Sequence, residues 1–182
     1  MKNLILLLFT SWACLAFSQN IDEYALLMER GEYKKAKDLA TSNIQIDSLD
    51  LAAISCLARI YESEQNIARA IKYNTMKWKL DTTNYLVARK LGQLYEEAEI
   101  TREALQFYNK AYQSNPEDFI TIKGFVNILT LTDQLDIADS ILRKGLERDS
   151  SNVAFLMAEG RLAYRMRDMV RTSDALLKAG YY

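Results

Sequence analysis

From residue 17 onward the apolar positions return at helical spacing, and the whole pattern repeats every 34 residues. Written in rows of that length, the chain starts its rows at Phe17, Leu51, Tyr85, Phe119 and Val153 with no insertion or deletion. The twentieth place holds Ala36, Ala70, Ala104, Ala138 and Thr172, a small residue each time, as two helices need where their backbones come closest. The eighth place (Tyr24, Ala58, Gly92, Val126, Gly160) and the eleventh (Leu27, Tyr61, Tyr95, Leu129, Ala163) read as the inner face of a first helix. Bulky apolar residues at the twenty-eighth place, Ile44, Trp78, Tyr112 and Leu146, sit near the end of a second helix, where they can reach the next row.

Polar punctuation falls at a fixed phase. Asp47-Ser48-Leu49-Asp50, Asp81-Thr82-Thr83-Asn84, Asn115-Pro116-Glu117-Asp118 and Asp149-Ser150-Ser151-Asn152 close successive rows. Asp50, Asn84, Asp118 and Asn152 stand where a side-chain oxygen can accept from the unpaired N–H groups of the next first turn. Pro116, the only proline, lies in such a break, where its missing N–H does no harm. A milder break recurs inside each row near Gly31, Glu64-Gln65, Glu99 and Asp133. Each row is therefore predicted as a helix, a tight turn and an antiparallel helix, and the fold class as all-α.

The third row carries Leu91-Gly92, Tyr95, Ala104, Tyr108, Ala111 and Pro116 at spacings that resemble the tetratricopeptide repeat (TPR) family, and the likeness runs from residue 19 to 182. Ser48, Thr82 and Ser150 replace the proline in the other complete rows, and the fifth row, residues 153–182, has Ala163 and Thr172 at variable places. The resemblance implies a right-handed α-solenoid of about five repeats, because one helix pair cannot bury its apolar face without stacking on the next. It also implies a concave groove lined by the first helices and a protein or peptide as partner. Carried over place by place, the groove residues are Arg59 and Glu62 in the second row, with Ser55 and Ser63 beside them. The third row gives Arg89, Gln93, Glu96 and Glu97, and the fourth Lys123, Asn127, Thr130 and Leu131. The fifth gives Met157, Arg161, Tyr164 and Arg165. Two readings of this strip stand side by side: a solvated face with pairs such as Arg59 and Glu62 on one helix, or a row of cations that holds an acidic segment. Lys123 and Asn127 look like part of a chaperone-type carboxylate clamp, but Gly124, Ala154 and Ala158 occupy places the clamp needs polar, so none is expected.

Composition narrows the function further. The chain has 182 residues, a formal charge of −1 and 49% hydrophobic positions, so no basic excess invites nucleic acid. Histidine is absent, which removes imidazole metal sites and the commonest general base. No phosphate loop or activated nucleophile is present, and neither an enzyme activity nor a cofactor is expected. Glu96, Glu97 and Glu99 diverge around a helix and read as a solvated end rather than a metal site. Cys56 lies among Ala52 to Ala58 without a neighbouring base and reads as buried filler. Tyr61, Tyr95 and Tyr108 are expected to fill space between helices with their hydroxyls in water.

Ahead of the repeats, Lys2, the apolar run Leu4 to Phe9 and Ala16-Phe17-Ser18 form a secretory signal pattern with cleavage after Ser18. The run is too short to cross about 30 Å of hydrocarbon, so no membrane span is expected in the mature chain. Ser11-Trp12-Ala13 before Cys14 match a lipoprotein signal poorly. The chain reads as an exported, periplasmic or extracellular bacterial scaffold. The alternative is the periplasmic front of a longer TPR-containing signalling protein, since the fifth row is short and ends in apolar residues rather than a polar cap.

Overall fold

The computed structural model describes residues 23–180; the expected signal peptide, the cleavage site and the last two residues of the fifth row lie outside the described residues. Within that range the chain forms ten helices and no strand, in the helix-turn-helix rows the 34-residue period predicts. The helices are α1 (residues 23–29), α2 (Tyr33–Ile46), α3 (Leu51–Ser63), α4 (Ile67–Leu80), α5 (Tyr85–Glu97), α6 (Thr101–Ser114), α7 (Phe119–Leu131), α8 (Leu135–Arg148), α9 (Val153–Arg165) and α10 (Met169–Lys178). They fall into two compact units, residues 23–81 and 82–180.

Helix starts follow the polar punctuation. Asp50 accepts from Ala53 N, Asn84 from Leu86 and Val87 N, Asp118 from Thr121 N, and Asn152 from Ala154 and Phe155 N. Helix ends within rows share one geometry. Gly31, Gln65, Glu99, Asp133 and Arg167, all at the fifteenth place, adopt left-handed φ between 54° and 72°. In each, the next residue's N–H bonds back five residues, as Asn66 N does to Tyr61 O and Ile100 N to Tyr95 O, closing the paired hydrogen bonds of a Schellman ending. The sequence shows four of these turns; Arg167 is the fifth.

In the first unit α3 packs against both α2 and α4. Ala36, Ala70 and Ala53 are fully buried where the helices cross, and the Tyr61 ring stacks on Tyr73 with centroids 5.4 Å apart. The Tyr61 hydroxyl does not turn to water as expected: it accepts from Arg69 Nη1 at 2.9 Å. Lys37 lies over the same ring and bonds Glu64 at 2.9 Å.

In the second unit each helix packs on its successor, and first helices also stack on first helices, α5 on α7 and α7 on α9. That double contact is what stacked repeats require to close a core. Ala104, Leu129, Ala138, Leu142 and Leu162 lie at its centre. Tyr112 reaches the next row, its ring 5.7 Å from that of Phe125. The last three helices are tied by charge: Arg171 on α10 lies 2.5 Å from Asp139 on α8 and 3.0 Å from Glu159 on α9. Burial would lower the Arg171 pKa, but the two carboxylates outweigh it and hold the guanidinium charged.

Candidate functional site

The second unit carries a cleft of about 590 Å³ built on its stacked first helices. Ile120, Lys123, Gly124 and Asn127 recur at spacings of three and four on α7 and so share one face of it. Gln93, Glu96 and Glu97 line it from α5, and Arg161 from α9. The structure thus brings Gln93, Glu96, Lys123, Asn127 and Arg161 together from three rows.

The floor is a closed hydrogen-bond system. Glu96 accepts from the Tyr108 hydroxyl at 2.6 Å through one oxygen and from Asn127 Nδ2 at 2.5 Å through the other, joining α5, α6 and α7. Tyr108 is 1% exposed, so its hydroxyl donates to protein and not to water, contrary to expectation. Burial first, then the hydrogen bond to Glu96 and the Glu96 charge, push its pKa far above the ordinary phenol value and keep the proton in place. The ring fits because two helices leave out a β-carbon beside it. One added at Gly92 would fall 2.9 Å from Tyr108 Cδ1, and one at Gly124 2.4 Å from Cζ.

The remaining groove candidates have other fates. Arg89 is engaged with Asp118, the α7 N-cap, at 2.8 Å, and both side chains are largely buried. Burial would raise the Asp118 pKa, but the hydroxyl and backbone N–H of Thr121 together with Arg89 outweigh it and hold the carboxyl below its usual range. Arg165 pairs with Asp133 at 3.2 Å on the surface, outside the cleft lining. Tyr164 is 62% exposed and also outside it. Thr130 is buried, its hydroxyl donating to Val126 O. In the first unit Glu62 accepts from Asn74 Nδ2 at 2.7 Å, while Arg59 is exposed beside a separate recess. The recurring cation therefore reduces, in the cleft, to Lys123 and Arg161, both exposed and without a hydrogen bond or ion pair among the described residues. Reading by place missed Tyr108 and Ile120 as lining residues; the signal for Tyr108 is the pair of glycines that flank it.

No protein-family model matches the chain, and no curated protein matches it in sequence. Solved structures do. YrrB, described as a TPR protein with an unusual peptide-binding site, is 19% identical with a TM-score of 0.80, over 88% of this chain and 82% of that one. A tetratricopeptide repeat protein from Parabacteroides merdae is 17% identical with a TM-score of 0.80, over 91% of this chain and 66% of that one. With the 34-residue rows, the alanine column and the stacked first helices, these likenesses decide the architecture. The chain has the tetratricopeptide repeat fold. MamA is a further TPR-like neighbour at 14% identity, with a TM-score of 0.80 and coverage of 90% and 89%. Within this TPR fold Gln93, Lys123, Asn127 and Arg161 stand on first helices, and the all-α solenoid class expected from the repeats holds.

Proposed function

We propose that this chain is a non-enzymatic protein-interaction scaffold of the bacterial cell envelope, and that it holds an acidic peptide segment in the cleft of its second unit. One observation carries the reading. Lys123 and Arg161, from successive first helices, line the same cleft with no protein partner, while Glu96 beside them already has both oxygens occupied. The cations are thus available to carboxylates, with Gln93 and the exposed Glu97 in the same lining to sort the guest's remaining groups. The likeness to YrrB, whose description names a peptide-binding site, supports the same use. Among the described residues no helix is long and apolar enough to cross a membrane. Lys2, Leu4 to Phe9 and Ala16-Phe17-Ser18 support export with cleavage before Gln19.

A pull-down from envelope extract with the parent and with Lys123→Glu/Arg161→Glu tests the cleft. Arg89 is left intact because Asp118 holds it. The parent is expected to recover its partner at low salt, and both the double substitution and high salt to lose it, since exposed charges are screened over about 8 to 10 Å. Equal recovery by both proteins overturns the reading. Mass spectrometry of the exported protein tests export: a first residue other than Gln19, or a lipidated Cys14, overturns that part.

A further inference from the structure

The junction between the fourth and fifth rows is built from charge where the earlier rows are apolar. In the second, third and fourth rows the seventh place holds Leu57, Leu91 and Phe125, all buried; in the fifth it holds Glu159. The twenty-first place holds Ile71 and Leu105, both partly buried, in the second and third rows, and Asp139 in the fourth. Arg171 joins the two carboxylates. Its Nη2 lies 2.5 Å from Asp139 Oδ1, and its Nε donates to Glu159 Oε1 at 3.0 Å. Arg143 meets the other Asp139 oxygen at 2.8 Å. The side chains of Arg171, Asp139 and Glu159 are only 15 to 20% exposed, so the triad stands inside the fold.

Other ties between α10 and the fold are few. Among the described residues α10 packs on α9 alone, and α8 and α10 line a cleft of about 580 Å³ without packing on each other. Ala175 is the one buried residue of α10. Leu176 meets α9 at Gly160, where a β-carbon would stand 3.1 Å from the leucine Cδ2. The turn leading into α10 holds Arg167 at φ +62°, a conformation that a β-carbon disfavours. A helix with one neighbour, little buried apolar surface and a strained turn belongs to the low-stability end of a fold.

We propose that α10 is a strap latched by Arg171: it opens from α9 as one unit while α5 to α9 stay folded, and the bridge to Asp139 and Glu159 sets how rarely it opens. An intact buried ion pair adds little net stability, but the loss of one partner leaves an uncompensated charge inside. Here that charge has an exit, because swinging α10 away brings water to both carboxylates and bares the face of α9 around Gly160. Apolar residues at the same places would give no such dependence on a single side chain. The exposure of that α9 face is thus governed by charge. The strap uses none of the residues of the acidic-cleft reading and stands apart from it.

Amide hydrogen exchange, read residue by residue by NMR on the purified full chain, tests this. In the parent the amides of Thr172 to Lys178 are expected to share one opening rate, faster than that of α7 and α8. Arg171→Met keeps much of the side chain's stem and removes the latch; the shared rate should rise by about tenfold or more, with α5 to α8 unchanged. Arg171→Lys keeps the charge but not the fork that reaches two carboxylates, and should fall between the two. Asp139→Leu/Glu159→Leu/Arg171→Leu makes the junction apolar like those of the earlier rows, and should return the rate to the parent's or below. Rates that climb steadily toward Lys178 mark a fraying end and overturn the proposal. So does an Arg171→Met variant that leaves α10 unchanged. Exchange that speeds evenly from α5 to α10 in that variant, or its failure to fold, also overturns it, since the bridge would then belong to the cooperative core.

Discussion

Gly124 and Tyr108 touch across a helix interface in which a β-carbon at residue 124 would lie 2.4 Å from the tyrosine Cζ. The ring has little room to retreat, because a β-carbon at Gly92 would also fall 2.9 Å from its Cδ1 and Glu96 accepts from the hydroxyl at 2.6 Å. Gly124→Ala is therefore expected to destabilise the protein by about 1 to 3 kcal/mol, although alanine raises helix propensity by about 1 kcal/mol. Urea denaturation measures the change, and Tyr108→Leu in the same chain should recover part of it. A Gly124→Ala variant as stable as the parent would show that the ring is not confined.

Ala104 has no exposed surface where α5 and α6 cross. Ala104→Leu should overfill that contact and cost about 1 to 3 kcal/mol, a drop of roughly 2 to 12 °C in a chain of this length. Ala36, Ala70 and Ala138 are equally buried and should respond alike in thermal melts. Tolerance of leucine in all four would mean that the column does not mark the closest helix approach.

The left-handed turns give a prediction of opposite sign. Glu99 carries φ +59°, a conformation costing about 1 to 2 kcal/mol for a residue with a β-carbon, whereas Gly31 adopts it freely. Glu99→Gly is expected to stabilise by about 0.5 to 1 kcal/mol, after the added unfolded-state entropy of about 0.4 to 1 kcal/mol is deducted. Gly31→Ala should destabilise by about 1 kcal/mol. A loss of stability in Glu99→Gly, read from the urea midpoint, would contradict the assignment.

Acid should find Asp118. Its folded-state pKa is depressed below the ordinary 3.8, so its contribution is complete above the unfolded-state pKa and disappears as pH falls through the folded value. Asp118→Asn keeps a good N-cap but removes the charge facing Arg89. The variant should be less stable than the parent by about 1 kcal/mol at neutral pH, with the gap closing below about pH 4. A gap that stays constant down to pH 2 would assign the loss to packing.

What the sequence makes legible is one-dimensional. The row phase, the Asp and Asn caps and the alanine column each repeat along the chain, so the period alone exposes them. Pairings across rows are not legible in that way. Arg89 finds Asp118, 29 residues on, and Arg165 finds Asp133, 32 residues back. No rule of local spacing separates such a paired cation from Lys123, which stays unpaired. Tyr108 does not reach water because the hydroxyl end of its ring is covered by α7, one row later. Arg167 takes the same left-handed φ as Gln65 and Glu99 because the Schellman hydrogen bonds impose it despite the side chain.

The Glu96 junction bears on how fast a guest would come and go. With Tyr108 and Asn127 already bonded to it, the cleft floor needs no rearrangement to receive a ligand. If the guest is the acidic segment proposed above, Lys123 and Arg161 would act before contact, drawing it in at a rate that falls with ionic strength. How long the segment then stays depends on the fit against the fixed floor, so substitutions there would appear in the dissociation rate and leave the association rate nearly unchanged.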